Sequence, residues 1–309
     1  MKNGALNRND GLDALKICLA IMIIGIHTSF FSNVNQLYNH ILIQGVFRIA
    51  VPMFFIINGF YFSNIIKKRK LHKWYAKILP LYFFWMFLYS PFWFFDQDLT
   101  FAQTIKRLIM GYYHLWYIPA MVGAATTLYY LSRWVSTLKI FYIAMSLFVI
   151  GVVFQYLKNF DLISLPFRNV LFFGIPFFFI GYLMNFIDIS FFSRKKLLTL
   201  LVTSVFFIVL ESYLTLIFVD VGVNWDLLFS LMFISPIIFL LFLKGNYALS
   251  TKNLAHYSSG LYFIHPLILK YFEFISFGNS LLIAIYTVLV CLLITWFLTT
   301  HIKITRYLL

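Results

Sequence analysis

The feature that most limits what this chain can become is a succession of ten apolar runs separated by short polar breaks. They lie at 12–32, 41–63, 75–95, 115–131, 139–156, 169–187, 197–219, 227–243, 256–275 and 280–300. A helix needs about 20 apolar residues to cross roughly 30 Å of hydrocarbon. Composition removes the soluble alternative. Hydrophobic residues are 62% of the 309 and charged residues only 11%, against about 25% charged in a soluble domain. The expected fold is all-α, a polytopic transmembrane bundle of about ten spans. It forms one domain over 1–309, with no loop long enough for a soluble domain.

The formal charge of +14 would suit nucleic acid if it were gathered in a patch. Here it is spread through short loops, so nucleic acid is not an expected partner. With the N-terminus inside, eighteen of the 24 Lys and Arg fall in cytoplasmic segments and five in outer ones, and Arg48 lies within a span. That imbalance sets the orientation. An even span count then puts the C-terminus inside as well, giving a multi-pass protein of the cell inner (plasma) membrane. The basic N-terminus precedes an apolar run without a small-residue cleavage site, so it reads as the first transmembrane helix and not as a signal. Cys18 and Cys291 sit inside apolar runs, which argues against a disulfide framework or a metal site. There is no G-x-x-x-x-G-K-[ST] and no Gly-rich dinucleotide fingerprint, which excludes pumping driven by ATP on this chain. Any chemistry must sit among the helices.

Ionisable groups at membrane depth are costly, so each marks a functional candidate. The first run carries Asp13 and Lys16 near its cytoplasmic end and His27 well inside. Eleven residues of α-helix put Lys16 and His27 about 20° apart in azimuth and about 16 Å apart along the axis. One face thus bears a cation at the entrance and an imidazole deeper in. Lys16 either holds a donor or snorkels to lipid phosphates. His27 either packs two helices through a hydrogen bond or acts as a base, for which histidine is suited near neutral pH. Arg48 lies within the second run, which Pro52, Asn58 and Gly59 loosen. Glu211, in the seventh, has no basic neighbour in sequence. It is a candidate to pair with Arg48 or His27, or to be held protonated by apolar surroundings. His265 precedes Pro266, whose missing N–H leaves a backbone carbonyl unpaired, and a structural donor role is favoured there. His114 and Trp116 open the fourth run, where an interfacial aromatic belt is the favoured reading. The basic run Lys67-Lys68-Arg69-Lys70, followed by Lys73 and Lys77, suits either the phosphates of a coenzyme or anionic lipid.

Together these motifs resemble the large bacterial family of integral-membrane acyltransferases often called acyltransferase 3. The likeness covers Asn9-Asp10-Gly11-Leu12-Asp13, Lys16 with ten residues to His27, Arg48 with Val51-Pro52-Met53-Phe54-Phe55, and Asn58-Gly59-Phe60. It continues through Ile78-Leu79-Pro80, Tyr113-His114-Leu115-Trp116-Tyr117, Phe173-Gly174-Ile175-Pro176-Phe177-Phe178 and Tyr262-Phe263-Ile264-His265-Pro266. Two branches are similar: O-acetyltransferases of surface polysaccharides, and the membrane part of vancomycin-resistance serine racemases. The resemblance implies acetyl-CoA or another acyl-CoA as donor, with no bound cofactor, and a cell-envelope carbohydrate or lipid-linked sugar as acceptor. It implies His27 as the catalytic histidine and Lys16 as its basic partner, with Lys73 and Lys77 standing where the family often carries Arg-x-x-Arg for the donor.

The function expected is therefore an O-acyltransferase, with His27, Arg48 and Glu211 at the reaction centre and Lys16, Lys73 and Lys77 on the donor. Asp13, Asn58, His114, Trp116 and His265 are acceptor-side or structural candidates. The alternative is a transporter of a small polar molecule such as an amino acid, or an accessory subunit whose buried charges only pair. Pro52-x-Phe-Phe-Ile…Gly59-Phe60 resembles Pro176-x-Phe-Phe-Ile…Gly181-Tyr182, which hints at a repeat. On spans two and six it would be a parallel repeat, unlike the inverted repeats common in transporters.

Overall fold

The computed structural model describes residues 9–33, 35–94, 100–163, 167–218, 224–245, 254–274 and 278–302. Lys2, Arg8, Lys252, Lys303 and Arg306, used above for orientation, lie outside them. The described residues contain helices and no strands. In chain order the α-helices are α1 (Asp10–Thr28), α2 (Gln36–Gln44), α3 (Ala50–Lys68), α4 (Leu71–Leu88), α5 (Phe101–Met110) and α6 (Tyr117–Leu131). There follow α7 (Thr137–Asn159), α8 (Ile175–Leu183), α9 (Arg194–Phe218), α10 (Leu231–Lys244), α11 (Leu254–Phe274) and α12 (Ser280–His301).

Each apolar run of the sequence falls on a helix, yet the runs do not all become unbroken spans. Among the described residues, five stretches are long and apolar enough to cross a bilayer: Asp10–Thr28, Gln36–Lys68, Thr137–Asn159, Arg194–Phe218 and Ser280–His301. In the last two, only 22% of the apolar window is buried, so lipid must cover the rest. Some of the runs carry a break in regular α-helix. Residues 41–63 belong to a longer stretch that kinks through a 3-10 turn at Val46–Ile49. Residues 169–187 open with a π-helical turn at Val170–Gly174. The first kink has a steric cause. A Cβ on Gly45 would lie 2.4 Å from the Ile41 carbonyl oxygen and 2.8 Å from the Ser212 Cβ of α9, closer than atoms pack. Glycine lets α9 press against the chain there, and the turn that follows carries Arg48 inward.

α5 has no counterpart among the expected spans. A Thr100–Gln103 capping box starts it. Phe101, Ile105, Leu108 and Ile109 form one exposed apolar stripe, opposite Lys106 and Arg107. This is the pattern of a helix that lies in the membrane interface.

The core is built on α3 and α8. A Cβ on Gly59 would sit 2.0 Å from the Phe178 oxygen, and one on Gly181 would sit 2.1 Å from the Ile56 oxygen. The two similar sequence segments are thus a backbone-to-backbone seam. Phe55 meets Phe173 near one end of it, and Ser63 bonds Asn185 near the other, so the two helices run parallel. α1 and α11 also run parallel. Lys16 lines a cavity with Ser258, Ser259 and Tyr262, while His27 packs on His265. Asn9 donates to the Leu243 carbonyl, and Lys244 to those of Ile189 and Phe192. These bonds gather the starts of α1 and α9 with the end of α10 at what is called here the Lys16 end. His27 and Arg48 lie toward the opposite end.

Candidate functional site

Lys16 and His27 both face α11, as their spacing on one helix requires. Lys16 bonds Asp13 at 3.0 Å. It lines a cavity of about 200 Å³ whose deeper wall is Asn58, Tyr117 and Tyr262. Asn58 donates to the Phe54 carbonyl (2.9 Å) and to the Tyr117 hydroxyl (2.8 Å), which fixes the polar part of that wall.

Beyond Tyr262 lies a layer of imidazoles. His27 Nδ1 is 2.8 Å from the Tyr113 hydroxyl, and its ring stacks on His265 with centroids 5.4 Å apart. His265 contacts His114 at 5.3 Å, and His114 contacts Tyr262 at 5.2 Å. The Tyr262 hydroxyl donates to the His114 carbonyl at 2.6 Å. His265 Nδ1 is 2.8 Å from the Leu261 carbonyl, which assigns the proton to Nδ1 and leaves Nε2 a bare acceptor. That Nε2 has no hydrogen-bond partner, nor has either ring nitrogen of the buried His114. Three unpaired buried nitrogens in one cluster are costly, at about 1–3 kcal/mol each. Tyr113 also lines a second cavity of about 80 Å³ with Tyr89, Pro266, Lys270 and Glu273. The imidazole layer thus stands between a cavity that contains Lys16 and another that touches Tyr113. Among the described residues, no group of three His, Cys, Asp or Glu is arranged to hold a metal ion.

Next to His27 is a charge cluster. Arg48 pairs with Asp226, and so does Arg168. Arg48 Nε also donates to the Ile43 carbonyl at 3.0 Å and its second Nη to Asn224 at 3.1 Å. The segment that carries Asp226 has no regular secondary structure and is pinned by Gln155 of α7, whose Oε1 accepts from the Asp226 and Leu227 N–H groups at 2.8 Å each. Burial works to raise the Asp226 carboxyl, but the Arg48 and Arg168 guanidiniums outweigh it and hold it below the usual carboxylate range. Arg168 is half-exposed and lies over the Trp116 ring at 5.6 Å.

Several expected site residues take other places. Glu211 was a candidate to pair with Arg48 or His27, or to stay protonated, and the first of these is corrected: the carboxylate on Arg48 is Asp226. Glu211 stands apart, accepting from the Phe229 N–H (2.7 Å), the Ser230 N–H (2.9 Å) and the Ser230 hydroxyl (2.6 Å). It thereby satisfies donors at the start of α10 that have no helical partner. Lys73 and Lys77 are exposed on α4 and do not line the Lys16 cavity. Trp116 packs on Phe55, Phe173 and Arg168. His114 is buried in the imidazole layer. Asp226 was missed because it sits one residue before an apolar run. The available signal was scarcity: with ten acidic residues in the chain, few can neutralise an arginine within a span.

A family model described as an acyltransferase domain matches residues 9–300. The chain is also similar to an amino-acid racemase of Enterococcus faecalis, 32% identical over 149 residues, 46% of this chain and 21% of that one. It is 27% identical over 157 residues to a serine/alanine racemase of Enterococcus gallinarum, 47% of this chain and 22% of that one. The matched stretch is thus about a fifth of the length of these relatives. No solved structure matches.

Proposed function

We propose, because the chain belongs to the acyltransferase family, that it is an O-acyltransferase moving an acyl group, acetyl first among candidates, across the plane of the membrane. The donor is acyl-CoA entering at the Lys16 end, which is the cytoplasmic one. The acceptor is a hydroxyl of an envelope carbohydrate or lipid-linked sugar. The reading rests on one observation. The His27 ring is turned into the bundle, held by the Tyr113 hydroxyl and backed by His265, between the Lys16 cavity and the Tyr113 cavity.

With Nδ1–H donated to the Tyr113 oxygen, His27 Nε2 is free to take the acceptor proton as the hydroxyl attacks the thioester carbonyl. Lys16 supplies a positive charge at the donor entrance. Lys73 and Lys77, exposed at the start of α4, act on the coenzyme's phosphates outside that cavity. Arg48, tied to Asp226, sets the electrostatic surroundings of His27 and does not touch the reacting atoms. Ten crossings of the plasma membrane with both termini cytoplasmic accompany this reading. The parallel runs of α1 with α11 and α3 with α8 support it, since they are crossings one and nine, two and six.

Mass spectrometry of envelope glycans from cells with and without the protein tests the proposal. The expected result is a mass difference of one acyl group that disappears in His27→Ala at equal protein level, with the transfer rate at least about a hundredfold lower. Glycans that keep the group in His27→Ala would remove the reaction centre assigned here.

A further inference from the structure

The deeper wall of the Lys16 cavity keeps a hydrogen-bond donor in reserve. Asn58 Nδ2 donates to the Phe54 carbonyl at 2.9 Å and to the Tyr117 hydroxyl at 2.8 Å. A carbonyl can only accept, so the carboxamide cannot be turned the other way round. The Tyr117 oxygen is therefore the acceptor in its bond to Asn58, and its own hydrogen points elsewhere. Among the described residues no group accepts that hydrogen. Tyr262, whose ring lies 5.9 Å from that of Tyr117, spends its hydroxyl on the His114 carbonyl. Tyrosines that only pack end differently here: Tyr82 and Tyr89 each donate to a backbone carbonyl.

We propose that the Tyr117 hydroxyl donates to the amide carbonyl next to the sulfur of coenzyme A, so that Tyr117 selects the donor by its pantetheine arm. The inference rests on the acyltransferase reading and adds the residue that recognises the donor inside the bundle. The cavity's chemistry points to such a ligand. Apart from Lys16, which Asp13 pairs, no lining residue is charged. A zwitterionic amino acid would leave its charges unmet there, which is costly. An uncharged arm of methylenes and amides fits. Its methylenes meet Phe54, Leu81, Met121 and Phe263, and its carbonyl meets the free O–H. The charge of such a donor lies on phosphates beyond the arm, toward Lys16.

The register agrees. Tyr113, which bonds His27, precedes Tyr117 by four residues, through the 3-10 turn that leads into α6. At about 2 Å per residue, Tyr117 stands roughly 8 Å nearer the Lys16 end. Five bonds separate the amide carbonyl carbon from the thioester carbon, a reach of about 6 Å. A carbonyl held by Tyr117 thus brings the thioester to the level of His27, where the acceptor hydroxyl meets it.

The test uses inside-out membrane vesicles that contain the full chain and its native acceptor, with a radiolabelled acetyl group on the donor and label in membrane glycan as the readout. Three donors are compared. The first is acetyl-CoA. In the second the amide next to the sulfur is replaced by an alkyl link of equal length, and in the third it is replaced by an ester. One neutral hydrogen bond changes kcat/KM by about five- to tenfold. Wild type should therefore use the alkyl analogue that much less well than acetyl-CoA, and Tyr117→Phe should use the two equally. Equal use by wild type overturns the role of Tyr117. So does a Tyr117→Phe protein that keeps the wild-type preference, which is what a purely structural tyrosine predicts. Should the variant fail to accumulate in the membrane, the ester analogue decides the matter in wild type. It keeps the carbonyl and loses the N–H, so it should stay within about twofold of acetyl-CoA. A loss as large as that of the alkyl analogue overturns the assignment. The parent reading fails in a separate way: wild-type vesicles that transfer no label from acetyl-CoA to glycan refute acyl transfer itself, whatever Tyr117 does.

Discussion

Two polar clusters lie side by side within one apolar bundle, and they are finished to different standards. Around Asp226, charges are closed off: two guanidiniums, an asparagine, a glutamine and a backbone carbonyl divide the available donors and acceptors among themselves. Around His265, three imidazole nitrogens are left bare. Both clusters are buried, so both face the same penalty for an unmet polar group. The closed one reads as architecture, since it ties α7 to the segments before α3, α8 and α10. The open one gives up that stability beside His27. A cluster that stores stability and one that forgoes it behave differently under substitution.

The largest effect is expected on the closed side. Asp226→Ala leaves two guanidiniums facing each other without their carboxylate, and removing one partner of a buried ion pair costs about 3–5 kcal/mol. Thermal unfolding in detergent should show a large drop in melting temperature, and a melting temperature within two degrees of wild type would dissolve the contrast drawn here. An intermediate effect is expected at the seam between α3 and α8. Gly181→Ala places a methyl 2.1 Å from a carbonyl oxygen, and overpacking of this kind costs about 1–3 kcal/mol. The same unfolding assay reads it, with normal melting meaning that the helices can part. The smallest effect, and of opposite sign, belongs to the open side. His114→Leu removes two unpaired nitrogens for similar volume, so the protein should melt at or slightly above wild type, by about 1 kcal/mol. A loss of stability as large as that of Asp226→Ala would show that the imidazoles are as structural as the charges.

How far the sequence foretold this division follows from what periodicity records. Apolar runs mark helices because burial repeats every 3.6 residues, and every run lands on one. The azimuth of Lys16 and His27 follows from helix geometry alone, and both side chains do face α11. Arg48 was recognisable as a charge needing a partner. Its partner was not, because Asp226 lies 178 residues away and no local pattern reports which distant segment a fold folds back. Glu211 drew notice for its place within an apolar run, yet its work is to accept from the N–H groups just before α10, a role visible only once Ser230 is placed beside it. His114 was read as part of an interfacial belt because Tyr and Trp flank it. The 3-10 turn at Tyr113–Trp116 rotates it inward instead, and such a turn leaves no trace in hydropathy.

The glycine seam bears on the rival picture of a carrier. Alternating access asks one half of a protein to roll against the other around a bound cargo, and rolling requires side chains that can slip past one another. Where Gly59 and Gly181 meet the opposing backbone there are no side chains to slip, only peptide planes in contact. A partition riveted at its middle holds α3 and α8 as one piece, and any movement within the bundle has to take them together.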